Sequence, residues 1–237
     1  MADTVVSNDF FSEAFHGVHS LPLRGFALVG GIGVINILVD LALRHSGPSI
    51  SASGYTVAGL LMFVSLATVY VVAMMIAEAP LSWLGGIRFL GIMALCVSIP
   101  LGLLFGGLLL LRTGGGITAV ILGLSLLAAL IAIPLLSAWP VTQALSGVFV
   151  SPVRILRSTK GYRWGLFTAS YASTVLNKIL PATDTAKSGG QAIILAIGNG
   201  AISCISLLLL ASIAATAWKF AIRQDATLAK SIEFQNY

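Results

Sequence analysis

Asp40 is the only acidic residue inside an apolar stretch of this chain. Gly33, Asn36 and Asp40 recur at helical spacing, so one face of a helix would carry a small residue, an amide and a carboxylate. A carboxylate in hydrocarbon is costly and by default marks a function. Arg44 lies one turn on, and the expectation for Asp40 is a helix-end ion pair with it near the headgroups. A second polar stripe, Ser170, Ser173, Thr174 and Asn177, repeats at i, i+3, i+4 and i+7 with Lys178 beside it. Such a stripe must face other helices or water. Interhelical hydrogen bonding is the ordinary explanation and a solute pathway the alternative. Asn199 adds one more amide to a late apolar segment, next to small residues at Ala196, Gly200 and Cys204.

The most distinctive segment runs from Ser151 to Trp164. Ser151 and Pro152 suit a helix start. Arg154, Arg157 and Lys160 then recur every three residues, and Gly161 precedes Tyr162, Arg163 and Trp164. Cations beside aromatics suit the headgroup layer, where each Lys or Arg near an anionic surface contributes about 1 kcal/mol. These six side chains are the candidate lipid or partner contacts, against a role in topology alone.

Other chemistries are not indicated. His16, His19 and His45 lie outside the apolar stretches, and no phosphate loop, HExxH or Ser-His-Asp set with workable spacing occurs. Cys96 and Cys204 sit in apolar segments without CxxC partners. No catalytic residue, metal or cofactor is expected.

These residues are set in a chain that is 57% hydrophobic and only 9% charged, with mean hydropathy +1.00. A soluble domain carries about 25% charged residues, so the fold class expected is an all-α polytopic membrane bundle. Six stretches approach the roughly 20 apolar residues a span needs: Gly25–Leu43, Tyr55–Ala77, Phe89–Leu111, Ile117–Ala138, Gly165–Leu180 and Gln191–Trp218. A turn over Thr113–Gly116 would join the third to the fourth. Pro100 and Pro134 would kink those two spans, for packing or to line a substrate site. Gly102 and Gly106 form a GxxxG packing face. No cleavable leader is expected, since the first apolar segment holds Asn36 and Asp40, although the small residues of Ser49 to Gly54 could mimic a cleavage site.

The organisation expected is an amino-terminal cytoplasmic or interfacial segment (1–24), a six-helix transmembrane domain (25–219) and a cytoplasmic tail (220–237). In the first, Phe11, Phe15 and Val18 would form the apolar face of an interfacial helix capped by Ser7 or Asn8. A basic interfacial helix would precede the fifth span. Nine Lys and Arg fall on one side of this topology and four on the other. The positive-inside rule places both termini in the cytoplasm. The net charge of +5 is spread over helix ends, which points to anionic lipid rather than nucleic acid.

From about Leu135 to Phe220 the chain resembles the YciC-like bacterial inner-membrane proteins, relatives of the membrane domain attached to some glycerophosphoryl diester phosphodiesterases. The matching residues are a hydrophobic span, the segment Ser151 to Trp164, and two further spans. The resemblance implies a six-helix inner-membrane protein and adds no catalytic residue. The function expected is therefore a non-enzymatic accessory or organising component of the bacterial cytoplasmic membrane. It would act through helix packing, anionic lipid headgroups and other membrane subunits. The alternative is a small transporter or permease subunit built on the polar residues within the spans.

Overall fold

The computed structural model describes residues 2–45, 52–111, 116–176 and 178–233. Among them the chain is all-helical: α1 (Ala2–His19), α2 (Leu23–His45), α3 (Ala52–Ala77), α4 (Trp83–Leu111), α5 (Gly116–Leu135), α6 (Trp139–Leu145), α7 (Pro152–Ser158), α8 (Arg163–Leu176), α9 (Gly189–Gln224) and α10 (Ala226–Glu233), with a 3-10 turn at Thr183–Thr185. Four helices are long and apolar enough to cross a membrane among these residues: Leu23–Arg44, Thr56–Ala77, Thr118–Leu135 and Gly189–Gln224. They correspond to the first, second, fourth and sixth expected spans, and they make this a membrane-embedded protein. α4 is continuous for 29 residues, about 43 Å, and stays helical through Pro100. α8 has only 14 residues, about 21 Å, which is shorter than the hydrocarbon core. The expected turn at Thr113–Gly116 and the Ser49–Gly54 stretch fall largely outside the described residues.

Packing is concentrated at one end of the bundle, here termed the base. Its post is the last third of α9. Ala211, Ala214, Ala215 and Trp218 face a cluster with α3, Leu21, Phe89 of α4 and α6. Ile213, Ala217, Phe220 and Ala221 face a second cluster with Phe10, Trp139, Ile155, Tyr162, Leu166 and Leu228. Each set repeats at i, i+3 or i+4, so one helix serves two cores, and its many alanines allow close approach. Away from the base the helices are open: 17% of the α2 window and 11% of the α5 window are buried within the chain. Apolar faces left uncovered in this way suit lipid, which needs no protein partner.

Several expectations are corrected here. α1 begins at Ala2, upstream of Ser7 and Asn8, so neither caps it; it turns Phe10 and Gly17 toward the bundle, with Phe11 and Val18 half-buried and Phe15 outward. Phe10 is fully buried, whereas Phe15 is 66% exposed. The reason is packing: Ser212 Oγ donates to the Ala14 carbonyl, and a Cβ on Gly17 would fall 2.8 Å from Ile76. Both contacts turn the Phe10–Gly17 side toward the bundle. Trp139 and Pro140 do not close the fourth span. The chain bends after Pro134, and these two residues open α6, which is buried along its whole length. A Cβ on Gly102 or Gly106 would meet nothing within 4 Å, whereas one on Gly107 would fall on the Leu122 side chain of α5. The 219/220 boundary falls inside α9, and buried Leu228 docks α10 on the base.

α3 ends in a motif that normally uses glycine. Ala79 N–H donates to Met74 O at 3.0 Å and Glu78 N–H to Met75 O at 3.2 Å, with Glu78 at φ 56° and Pro80 two residues on. A side chain in this left-handed conformation costs about 1 kcal/mol. Glu78→Gly is therefore expected to raise stability by about 1 kcal/mol, read as a higher Tm in detergent.

Candidate functional site

Two sites emerge, one at each end of the bundle. At the end away from the base, α2 and α9 cross so closely that a Cβ on Gly33 would fall on Cys204, and one on Gly200 would lie against Ile37. The antiparallel sense is fixed by Asn36 Nδ2 donating to Ser203 Oγ at 2.9 Å and Arg44 donating to the Ala186 carbonyl at 3.1 Å. Beside the crossing lies a cavity of about 260 Å³ walled by α2, α9 and α3. Asn36, Asp40, Asn199 and Ser203 supply its polar lining, and Val39, Leu43, Ala58 and Leu61 its apolar lining.

A loop completes the site. Thr183 Oγ1 donates to Asp40 at 2.5 Å. Asn199 Nδ2 donates to the Pro181 carbonyl at 3.2 Å and to Thr183 Oγ1 at 3.4 Å. The Asp40–Arg44 ion pair expected from their spacing is not formed. Arg44 turns to the Ala186 carbonyl instead, because the returning loop lies over the last turn of α2 and offers that oxygen. Among the described residues the ion pairs are Arg154–Asp225 and Arg223–Glu13.

The stripe on α8 does not join this cavity. Gly165, Leu166, Ala169 and Ser173 form its buried face. Ser170 is half-buried beside them, and Thr174 bonds back to the Ser170 carbonyl at 3.0 Å. Lys178 is exposed. Asn177 lies outside the described residues.

At the base, the basic segment is held from within. Tyr162 is 1% exposed, stacks on Phe10 at 5.6 Å, packs on Phe220 at 5.2 Å and donates to the Ala217 carbonyl at 2.9 Å. Burial pushes its phenol well above the usual range, so it stays a neutral donor. Arg154 grips Asp225 with two hydrogen bonds, 2.9 and 3.2 Å. Asp225 also caps α10, accepting from the Thr227 and Leu228 N–H groups at 3.0 and 3.3 Å. Desolvation pushes its carboxyl up, but the bonds from Thr227 and Arg154 outweigh it and hold the pKa at about 2.

The direction of that shift carries a prediction. A carboxyl depressed from 3.8 to about 2 contributes stability in full above 3.8 and loses it as pH falls toward 2. Asp225→Asn is expected to flatten the acid limb of a Tm-against-pH curve in that window and to leave the neutral and alkaline side unchanged in slope.

The remaining members of the segment face outward. Arg157, Lys160 and Arg163 are exposed, with Arg163 also donating to the Leu156 carbonyl at 2.8 Å. Trp164 is 71% exposed and stands near the start of α8, as exposed Trp83 stands at the start of α4. Val148, Phe149 and Val153 are exposed beside them. Arg154 and Tyr162 thus brace the segment, while Arg157, Lys160, Arg163 and Trp164 form its outer surface. Phe10, Phe220, Asp225, Thr183 and Ser203 carry both sites and were not evident in the sequence. Only Asp225, two residues before Thr227 at a helix start, offered a local signal. The two sites stand on their own geometry, because no family model, curated protein or solved structure matches this chain.

Proposed function

We propose that the protein is a non-enzymatic, six-pass accessory or organising component of the bacterial cytoplasmic membrane, with its base in the cytoplasm. The observation that carries this reading is the outward face of residues 151–164. Three cations and an indole project from a segment whose other side is pinned by Tyr162 and Arg154. A rigid basic platform with flanking aromatics suits anionic headgroups and the membrane interface. The bracing keeps the platform in register with the spans, so lipid or a partner subunit would be met at a fixed height.

Charge placement supports the orientation. Arg24, Arg88, the 151–164 cations, Lys219, Arg223 and Lys230 lie on elements that enter or form the base, whereas Arg44 meets Ala186 at the opposite end. α8 supports a sixth passage despite its length. Tyr162 meets Ala217 and Leu180 meets Gly198, so this segment covers about 29 Å along α9 at 1.5 Å per residue. The resemblance of residues 135–220 to YciC-like proteins agrees with this topology and is part of the proposal.

Lipid quantification tests it. The protein carrying Arg157→Gln, Lys160→Gln and Arg163→Gln should co-purify with less anionic lipid and fewer partner proteins. Unchanged amounts of both would remove the binding role. The rival class, a small transporter or permease subunit, draws on one observation: Asn36, Asp40 and Asn199 share a cavity. Ser170, Lys178 and the bend after Pro134 lie elsewhere.

A further inference from the structure

We propose that the cavity between α2, α3 and α9 binds a small organic ammonium ion, with Asp40 as its counter-charge. This does not depend on the role of the basic segment. Three observations lead to it. The first is the position of Asp40: a carboxylate within an apolar span, half-buried, lining a cavity and absent from the ion pairs of the described residues. A carboxylate within an apolar span ordinarily has a counter-ion or a function. The spacing supplies Arg44 for the purpose, and the fold directs Arg44 elsewhere.

The second is the balance of donors and acceptors. The Asn36 amide N–H is spent on Ser203, the Asn199 amide N–H on Pro181 and Thr183, and the Thr183 hydroxyl on Asp40. Left over beside the carboxylate are acceptors, its second oxygen and the two amide oxygens, together with the other Asn36 N–H and the Ser203 hydroxyl hydrogen. The one formal charge among these groups is that of Asp40, so a ligand here gains most from a cationic hydrogen-bond donor placed at that carboxylate.

The third is the shape of the chemistry. The opposite wall is hydrocarbon, from Leu43, Ala58 and Leu61. A bare alkali ion would need oxygen on all sides, whereas an ammonium on a short alkyl chain matches one polar and one apolar wall. The volume of about 260 Å³ holds a body of a few carbons with its ammonium group.

The test uses the full chain in lipid nanodiscs, with n-butylammonium chloride as probe. Sodium chloride at equal ionic strength and n-butanol serve as the charge and shape controls. A ligand that binds only the folded chain raises Tm with concentration. The expected result is a saturable rise with n-butylammonium alone. Asp40→Asn, which keeps the acceptor for Thr183, should weaken half-saturation by about tenfold or more. Ala58→Leu, which fills the cavity and leaves Asp40 in place, should abolish the rise, so the proposal stays testable if Asp40→Asn fails to fold. An equal rise with sodium chloride would make the site one for any monovalent cation. An equal rise with n-butanol would make it an apolar void. Either result overturns the proposal, as does a wild-type chain without a saturable rise or variants that respond like wild type.

Discussion

Replacing Phe10 with alanine is expected to destabilise the folded chain by about 3–5 kcal/mol, as for other fully buried aromatic side chains. Phe10 is 0% exposed and joins α1 to two other elements: it stacks on Tyr162 at 5.6 Å and meets Phe220 edge-on at 5.6 Å. Its loss would leave a cavity where α1, the basic segment and α9 join. The polar hold on α1 would then be Ser212 to Ala14 and the exposed Glu13–Arg223 pair, and exposed pairs contribute at most about 1 kcal/mol. Thermal unfolding in detergent, followed by near-ultraviolet circular dichroism, measures the effect. Phe15→Ala is the control, since Phe15 is 66% exposed, and it should change stability by less than about 0.5 kcal/mol. Equal effects at the two positions would mean that α1 lies on the membrane by its Phe15 face.

Neutralising the outer face of the basic segment is expected to have the next largest effect. Arg157, Lys160 and Arg163 together should contribute about 3 kcal/mol of preference for anionic over zwitterionic lipid, at about 1 kcal/mol for each cation near the headgroups. The triple glutamine variant should lose most of that preference in a titration with fluorescent phosphatidylglycerol. The wild-type preference should itself shrink as salt is raised, because these charges face solvent. Arg154→Gln separates bracing from lipid contact. Arg154 is committed to Asp225, so this variant should lower Tm, with a smaller change in lipid preference than the triple variant. A greater loss of lipid preference from Arg154→Gln would place the contact on the inner side of α7.

What could be read from the sequence followed from single-helix physics. Length and hydropathy located four helices within a few residues, because an apolar run of span length has few alternatives. The small stripe Ala196–Gly200–Cys204 and the face Gly33–Asn36–Asp40 also held, since periodicity on one helix needs no partner to be recognised. The misses all required a second element. The rotation of α1 is set by Ser212 and Ile76, far along the chain. α6 was hidden because Trp139 and Pro140 read equally as the end of one helix or the start of another. The Asp40–Arg44 pair was sound locally and lost to a carbonyl brought in by the 181–186 loop. Thr183, Ser203 and Phe220 have no motif at all, so their roles appear only once α9 is laid against its neighbours.

In the proposed topology the base and the 181–188 loop lie on opposite faces of a membrane, with the base inside the cell. Single cysteines at Lys187 and Ser151, in a background with Cys96 and Cys204 changed to alanine, test this in intact cells with a membrane-impermeant maleimide. Labelling is expected at position 187 in intact cells, and at position 151 only once the cells are opened. Labelling of both positions in intact cells, or of Ser151 alone, would contradict it.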